Sequence, residues 1–367
     1  DFRKAFDSVP HQRLLSKLFA YGIRGNLLEC IKDFLTNRKQ RVMVNGSPSE
    51  WETVLSGVPQ GSVLGPILFV VYVNDMPECV HQAISMFADD TKLYAKIDSD
   101  SDQECLQQDL AALEDWSDKW QIKFNPTKCK VMHLGNDNPQ YIYNMRSGTT
   151  VTPLQKTTCE KDLGVFVDNN LSFDHHINQA VNKSNRLLGL IRRTYTYLDK
   201  DSLKTLFTAL VRPHLEYGNT VWHPHLVRNI ESIEKVQRRA TKLVPELHDK
   251  DYEVRLKLLD LPSMEYRRLR GDLIETYKYL TCIYLVEGCP LQRIEGQQIS
   301  TRGHSLKLNK PRSRKNTRLH FFSNRIVNAW NHLPEDVVSA STLHSFKARL
   351  DKFLVMHRYS TKIKVPA

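Results

Sequence analysis

Residues 85–97 read SMFADDTKLYAKI: an apolar approach, two adjacent aspartates, then alternation, with Leu93, Ala95 and Ile97 set against Lys92, Tyr94 and Lys96. A period of two on both sides of the acidic pair predicts two short strands joined at Asp89–Asp90, a β-hairpin. Aspartate is a common turn residue, and most such pairs between short strands do nothing more. Only the residues that accompany the pair argue for a further role, and adjacent like charges become tolerable once divalent cations neutralise them.

Upstream of the hairpin, VPQGSVLGPILFVVYVNDMP is a Gly/Pro-punctuated loop feeding an apolar helix at roughly 62–75. Before it, RKQRVMVNG (38–46) alternates, ends in Asn-Gly and is answered by WETVLSG, so 38–57 reads as another hairpin. A helix is expected at about 25–36, and one before it after Pro10, where Leu14, Leu15, Leu18 and Phe19 recur at helical spacing until Gly22. Downstream, Leu106, Leu110, Leu113, Trp116 and Trp120 form the apolar stripe of a helix, read as core packing. Short strands are expected around 129–134, 140–143 and 163–167. Two helices with several strands suggest an α+β fold, a sheet layered by helices on one side.

From residue 174 the period becomes helical. Ile230, Ile233, Val236, Ala240 and Leu243 share one stripe, while Lys235, Arg238, Arg239 and Lys242 fall off it, as a solvated face or as one that tracks a phosphate backbone. Residues 301–320, TRGHSLKLNKPRSRKNTRLH, carry Arg302, Lys307, Lys310, Arg312, Arg314, Lys315 and Arg318 and no acid. That composition suits phosphate binding, a nuclear-localisation patch or a charged linker. The tail beyond it returns to helical periodicity as a small separate module. The expected organisation is therefore 1–170, a helical region 171–250, a helical connector 251–300, and a basic segment with a helical module at 301–367.

With 52 Lys+Arg against 41 Asp+Glu, the chain of 367 residues has a formal charge of +11, which favours a polyanionic partner, nucleic acid before acidic membrane. Seven scattered cysteines without a C-x-x-C pair indicate neither a disulfide framework nor a zinc knuckle, and a reducing, intracellular setting, nucleus and cytoplasm, is expected. The longest apolar run, ILFVVYV, is far below the ~20 residues a spanning helix needs, so no membrane partner is expected. The chain opens at Asp1 without methionine, in what reads as the middle of a structural unit.

Carboxylates converging from separate strands are what a two-metal phosphoryl-transfer site needs, because hard Mg²⁺ takes oxygen ligands and keeps positions open for substrate phosphates. Asp1, leading into FRKAFD, and the loop SGVPQGS (56–62) accompany Asp89 and Asp90. In order and spacing, DFRKAFDSVPH, SGVPQGSVLGPILFVVYVNDMP, FADDTKLYAKI and FNPTKCKVMHLG resemble the successive palm motifs of a reverse transcriptase. EKDLGVFVDNNLSFDHHI, LVRPHLEYGNTVWHPH, VQRRATKL, TRGHSLKLNKPR and FFSNRIVNAWNHLP extend the resemblance to the non-LTR, jockey-type enzymes over nearly the whole chain.

The resemblance implies a polymerase right-hand palm, an antiparallel sheet with helices on one face, over 1–170 with the fingers missing upstream, followed by a mainly helical thumb and C-terminal region. It makes Asp1, Asp89 and Asp90 the catalytic and metal-holding carboxylates for two Mg²⁺, with Mn²⁺ as a substitute, and the Phe2 carbonyl a further oxygen ligand. Phe6 falls under the incoming sugar, where a ring favours deoxynucleotides; Gln60 falls near the nascent base pair, and Lys128 near the triphosphate. Gly57, Pro59 and Gly61 fall beside template and nucleotide, and Leu163 and Gly164 at the primer grip. Lys183, Arg186, Arg192 and Arg193 would face phosphates. The partners implied are an RNA template, a DNA primer or target DNA, and dNTPs. On composition alone Phe6 is core, Lys128 a surface lysine and the glycines a plain loop. Two rivals remain: a catalytically inactive, nucleic-acid-binding remnant, and a two-metal hydrolase, against which Phe6, Gln60 and Lys128 argue. The pairs His175–His176 and His223–His225 lack metal-ligand spacing.

Overall fold

The computed structural model describes residues 2–135, 137–148, 150–286, 288–294 and 303–363. The chain divides into two compact units, 1–158 and 159–367.

The first unit opens with α1 (His11–Ala20) and α2 (Gly25–Leu35). Pro10 precedes α1, and Leu14, Leu15 and Leu18 are buried on one face of it. A free-standing arm follows: β1 (Lys39–Gln40) pairs with β4 (Glu52–Thr53), and β2 (Met43–Val44) with β3 (Ser47–Pro48). Asn45 and Gly46 make its turn with φ 50° and 84°, the two-residue geometry that Asn-Gly favours. Then come α3 (Leu64–Val73), β5 (Ala83–Phe87), β6 (Asp90–Tyr94) and α4 (Asp100–Trp120). The unit closes with β7 (Lys130–Met132), β8 (Asn144–Ser147), β9 (Thr150–Pro153) and β10 (Gln155–Thr157).

One core joins these elements, with Leu14, Leu18, Phe69, Tyr72, Leu113 and Trp116 at its centre. Lys17 is 4% exposed inside it, donating to the Tyr72 carbonyl and to Asp75 Oδ1, each at 2.5 Å, with its ammonium 3.7 Å from the centre of the Trp120 ring. Burial pushes the Lys17 pKa down, against the pull of Asp75.

The expected single antiparallel sheet is not what forms. Among the described residues every ladder has two strands, and the β7–β10 pair is parallel. Residues 3–7 run as turns, and the start of the chain contributes one bridge, Phe2 to Phe124. The strand expected at 140–143 begins instead at Asn144, whose amide and carbonyl are both taken by the Gln107 side chain of α4 at 2.9 Å. Two-stranded ladders are marginal by themselves and depend on such packing against helices.

The second unit begins with β11 (Cys159–Asp162) and β12 (Val165–Asp168), a hairpin that the sequence reading assigned with residues 1–170. It packs here because Val165 enters the helical core beside Ile177 and Trp222. The helices are α5 (Asp174–Thr194), α6 (Lys200–Leu206), which runs through a π-helical turn into α7 (Arg212–Glu216), α8 (Asn219–Trp222), α9 (Val227–Thr241), α10 (Tyr252–Leu259), α11 (Met264–Leu280), α12 (Asn316–Leu319), α13 (Phe322–Asn331), α14 (Glu335–Val338) and α15 (Leu343–Phe353). Two cores run through it, one over 165–264 and one over 266–354.

This differs from an expected connector at 251–300 and a separate module beyond 301. Leu256 and Leu259 of α10 belong to the first core, and Tyr266, Leu273 and Tyr277 of α11 belong to the second, with Ile326, Trp330 and Phe346. The apolar faces of α13 and α15 close on α11. The basic stretch also has anchors: His304 and Leu308 are buried, and the Leu308 amide and carbonyl bond the Asn331 side chain at 2.8 and 2.9 Å. Arg302 lies outside the described residues.

Arg325 of α13 makes two bonds, 2.9 and 3.0 Å, to the buried carboxylate of Asp272 on α11, and His223 Nδ1 lies 3.1 Å from it. Burial pushes the His223 imidazole down, outweighing the attraction of Asp272. Burial, His225 and Arg325 do the same to His320, whose ring stacks on His225 at 4.4 Å. His176, His214 and His304 are lowered too, burial first. A lowered histidine is neutral in the fold but takes up a proton when unfolded, so its stabilisation is present above about pH 6.5 and is lost as pH falls toward the folded value. Glu234 and Glu265, pushed up by burial, oppose that loss at its acid end. The melting temperature should therefore fall by several degrees between pH 7.5 and 5.5. A flat or rising profile would contradict the assignment.

Candidate active site

The candidate residues of the first unit lie on two loops laced together and on one strained turn. Residues 6–11 and 56–60 are joined by main-chain bonds, Gly57 N to Val9 O and Val58 N to Phe6 O, both 2.8 Å. Ser56 Oγ donates to Asp7 O at 2.9 Å, and Gln60 Nε2 to Asp7 Oδ1 at 3.1 Å. His11 is buried, with Nε2 at 2.9 Å from Gly57 O; a carbonyl only accepts, so the proton sits on Nε2. Gly57 has φ 96°, and a Cβ there would lie 2.8 Å from both Asp7 Cα and Asp7 O. The glycine is what lets the two loops close to main-chain contact.

Phe2 is buried, its ring stacked on Phe124 at 4.6 Å, so the ring is core. Phe6 is half-buried and stacked on Phe69 at 4.7 Å. Gln60 and Gly61 are exposed, while Pro59 is half-buried with its carbonyl bonded to Ser62 Oγ at 2.7 Å.

In the β5–β6 hairpin Phe87 pairs with Asp90, leaving Ala88 and Asp89 as a two-residue turn. Ala88 has φ 53°, a left-handed conformation that costs a non-glycine residue roughly 1–2 kcal/mol. Asp89 is half-buried in the turn and Asp90 exposed at the start of β6. The pair is thus split between turn and strand, where the sequence placed both in the turn. Neither carboxylate has a hydrogen-bond or ion-pair partner among the described residues. Two adjacent hard oxygen donors without a protein cation suit Mg²⁺. Asp1 lies outside the described residues, and among those described no group of three His, Cys, Asp or Glu side chains could hold a metal.

The sequence reading missed Asp109. Its carboxylate, 1% exposed on α4, accepts from the amides of His81 and Gln82 at 2.9 and 2.7 Å and so fixes the entry to β5. Burial pushes its pKa up, but those two amides and the His81 ring outweigh it, and the net shift is down. The signal was available: position 109 lies three residues after Leu106 and four before Leu113, a carboxylate on an apolar stripe. His11, three before Leu14, shows the same pattern.

Lys128 is exposed, in a turn where its amide donates to Asn125 O at 3.0 Å. In the second unit Leu163 and Gly164 form the two-residue turn between β11 and β12, with φ 43° and 89°. The hydroxyl of Tyr217 donates to Leu163 O at 2.7 Å, and its ring would meet a Cβ at Gly164 at 3.0 Å.

The profile of the reverse transcriptase (RNA-dependent DNA polymerase) family matches residues 1–191, which hold both loops and the turn. The chain belongs to the reverse transcriptase family. A probable RNA-directed DNA polymerase from transposon X-element of Drosophila melanogaster is 28% identical over 66% of this chain and 27% of its own length. One from transposon BS of the same fly is 29% identical over 66% and 28% respectively. The RNA-directed DNA polymerase from mobile element jockey of Drosophila funebris is 29% identical over 70% and 30%. This reverse transcriptase chain therefore spans under a third of the length of these curated relatives, and its kinship with jockey-type, non-LTR elements agrees with its motifs. No helix among the described residues is long and apolar enough to cross a membrane.

Proposed function

We propose that the chain carries the polymerase centre of a non-LTR retrotransposon enzyme, adding dNTPs to a primer 3′-OH on an RNA template, with a primer supplied by target DNA. The first unit acts as the palm and the 165–264 core as the thumb. The observation that carries this reading is the Ala88–Asp89 turn: a strained two-residue hairpin with two adjacent carboxylates and, among the described residues, no cation paired with them.

In the reaction the primer oxygen forms a bond to the α-phosphorus, the bond to pyrophosphate breaks, and the hydroxyl proton passes to solvent water. Asp89, Asp90 and Asp1 would hold two Mg²⁺, or Mn²⁺ in their place. Ions bound there would supply a lowered pKa for the attacking hydroxyl and neutralisation of charge on the triphosphate. Phe6, supported from beneath by Phe69, faces the sugar and disfavours a 2′-hydroxyl. Gln60, steadied by Asp7, and the Gly57–Gly61 loop border the nascent pair. Lys128 protonates the leaving pyrophosphate, and the Leu163–Gly164 turn supports the primer end, braced by Tyr217.

Extension of a DNA primer on an RNA template should require Mg²⁺, stop with EDTA and return with Mn²⁺. Binding of primer–template without any extension would favour the inactive remnant instead.

A further inference from the structure

In the second unit a groove of about 740 Å³ opens between the C-terminal ends of α5 and α9. Its rim carries Arg192, Arg239 and Lys242, and its floor is apolar, with Leu188, Leu243 and Pro245. Tyr195, the residue that ends α5, also lines it and is 44% exposed. Arg239 Nη1 bonds Asn185 Oδ1 at 3.1 Å, which ties the two helices together and leaves its other donors available. Arg192 and Lys242 have no acidic partner among the described residues. Of the acids next in sequence to the groove, Glu246 pairs with Lys200 at 3.4 Å and Asp249 with His248 at 3.1 Å.

Cations in the last turn of a helix answer the negative end of its dipole, which accounts for about half a charge per helix. Three cations on the groove, with Arg193 and Arg238 exposed beside them, exceed that need. A cationic rim alone would suit any anion. An exposed tyrosine over an apolar floor, in reach of the same ligand, suits one that alternates phosphates with flat apolar faces, and duplex nucleic acid keeps those faces stacked inside.

We propose that this groove binds single-stranded nucleic acid, with phosphates on Arg192, Arg239 and Lys242 and an unpaired base stacked on Tyr195. The groove lies in the core proposed above as the thumb and goes beyond that reading: its ligand is an unpaired strand held by binding alone, and its test reads no extension, so its failure and that of the polymerase centre are distinguishable.

The test is fluorescence anisotropy on the full chain with labelled (dT)₈, an abasic octamer of equal charge and a blunt duplex, over a salt series. Tyr195→Ala should weaken (dT)₈ about tenfold, within the range alanine substitution gives for one stacked base, and leave the abasic octamer unchanged; Tyr195→Trp should restore binding. Arg192→Gln with Lys242→Gln should weaken both octamers and flatten the slope of log K against log salt by about 1.4, at ~0.7 per phosphate contact. All these side chains are exposed, and melting temperatures should match the unsubstituted chain. Equal loss on the abasic strand after Tyr195→Ala would remove the stacked base. Unchanged slopes, a preference for the duplex, or equal competition by polyglutamate would overturn the site.

Discussion

Replacing Asp89 by asparagine should lower Mg²⁺-dependent primer extension by about 10³-fold or more while leaving the chain as stable as before or slightly more so. An amide oxygen carries no formal charge and binds a hard cation far more weakly than a carboxylate does. Losing about 4 kcal/mol of transition-state stabilisation is three decades in rate. Stability should move the other way because Asp89 and Asp90 are adjacent like charges without a partner cation among the described residues, in a turn already strained at Ala88. Removing one charge relieves repulsion worth a few tenths of a kcal/mol. Activity is read by primer extension, and stability by melting in EDTA. Extension at the original rate would remove Asp89 from the centre, and a loss accompanied by a large fall in melting temperature would mean a packing role.

Gly57→Ala should cost the first unit about 3–5 kcal/mol, against about 1–2 kcal/mol for Gly61→Ala, where a methyl group meets nothing. Both glycines have positive φ, 96° and 81°, so both lose roughly 1–2 kcal/mol to conformation alone. They differ in what a methyl group meets. At Gly57 it lies 2.8 Å from Asp7 Cα and O and 2.9 Å from Phe6 O, all main chain that cannot rotate away, whereas at Gly61 nothing lies within 4 Å. Overpacking of that kind adds a further 1–3 kcal/mol, and separating the loops also breaks the hydrogen bonds that the Gly57 and Val58 amides donate to Val9 O and Phe6 O. Urea titration of both variants separates the two terms. Equal midpoints would mean that the loops are not in main-chain contact.

The local signals were legible because they rest on short-range chemistry. Asn45-Gly46 gave its turn, Pro10 and Gly22 bracketed α1, and the alternation around Asp89 gave the hairpin, each through backbone preferences of the residues themselves. The strand expected at 140–143 failed for the opposite reason: the backbone at Asn144 is held by Gln107, a partner 37 residues away that no periodicity announces. The same holds for Asp109 on the amides of His81 and Gln82, and for the buried Lys17–Asp75 pair. In the site, the motif residues were readable as types. That Phe6 rests on Phe69 and Gln60 on Asp7 was not.

By itself the sequence determined the family, through ordered motifs whose residue types the chemistry constrains, and the places where the chain turns. Tertiary structure alone decided how the strands partner, only in twos among the described residues, and that the 159–168 hairpin belongs with the helices. It also decided that α11 completes the core of the C-terminal helices and that a basic face on α9 meets an exposed tyrosine at the end of α5 across one groove. The physical reason is range: turn and periodicity preferences act over a few residues, whereas burial and side-chain capture of backbone groups depend on partners that only folding brings together.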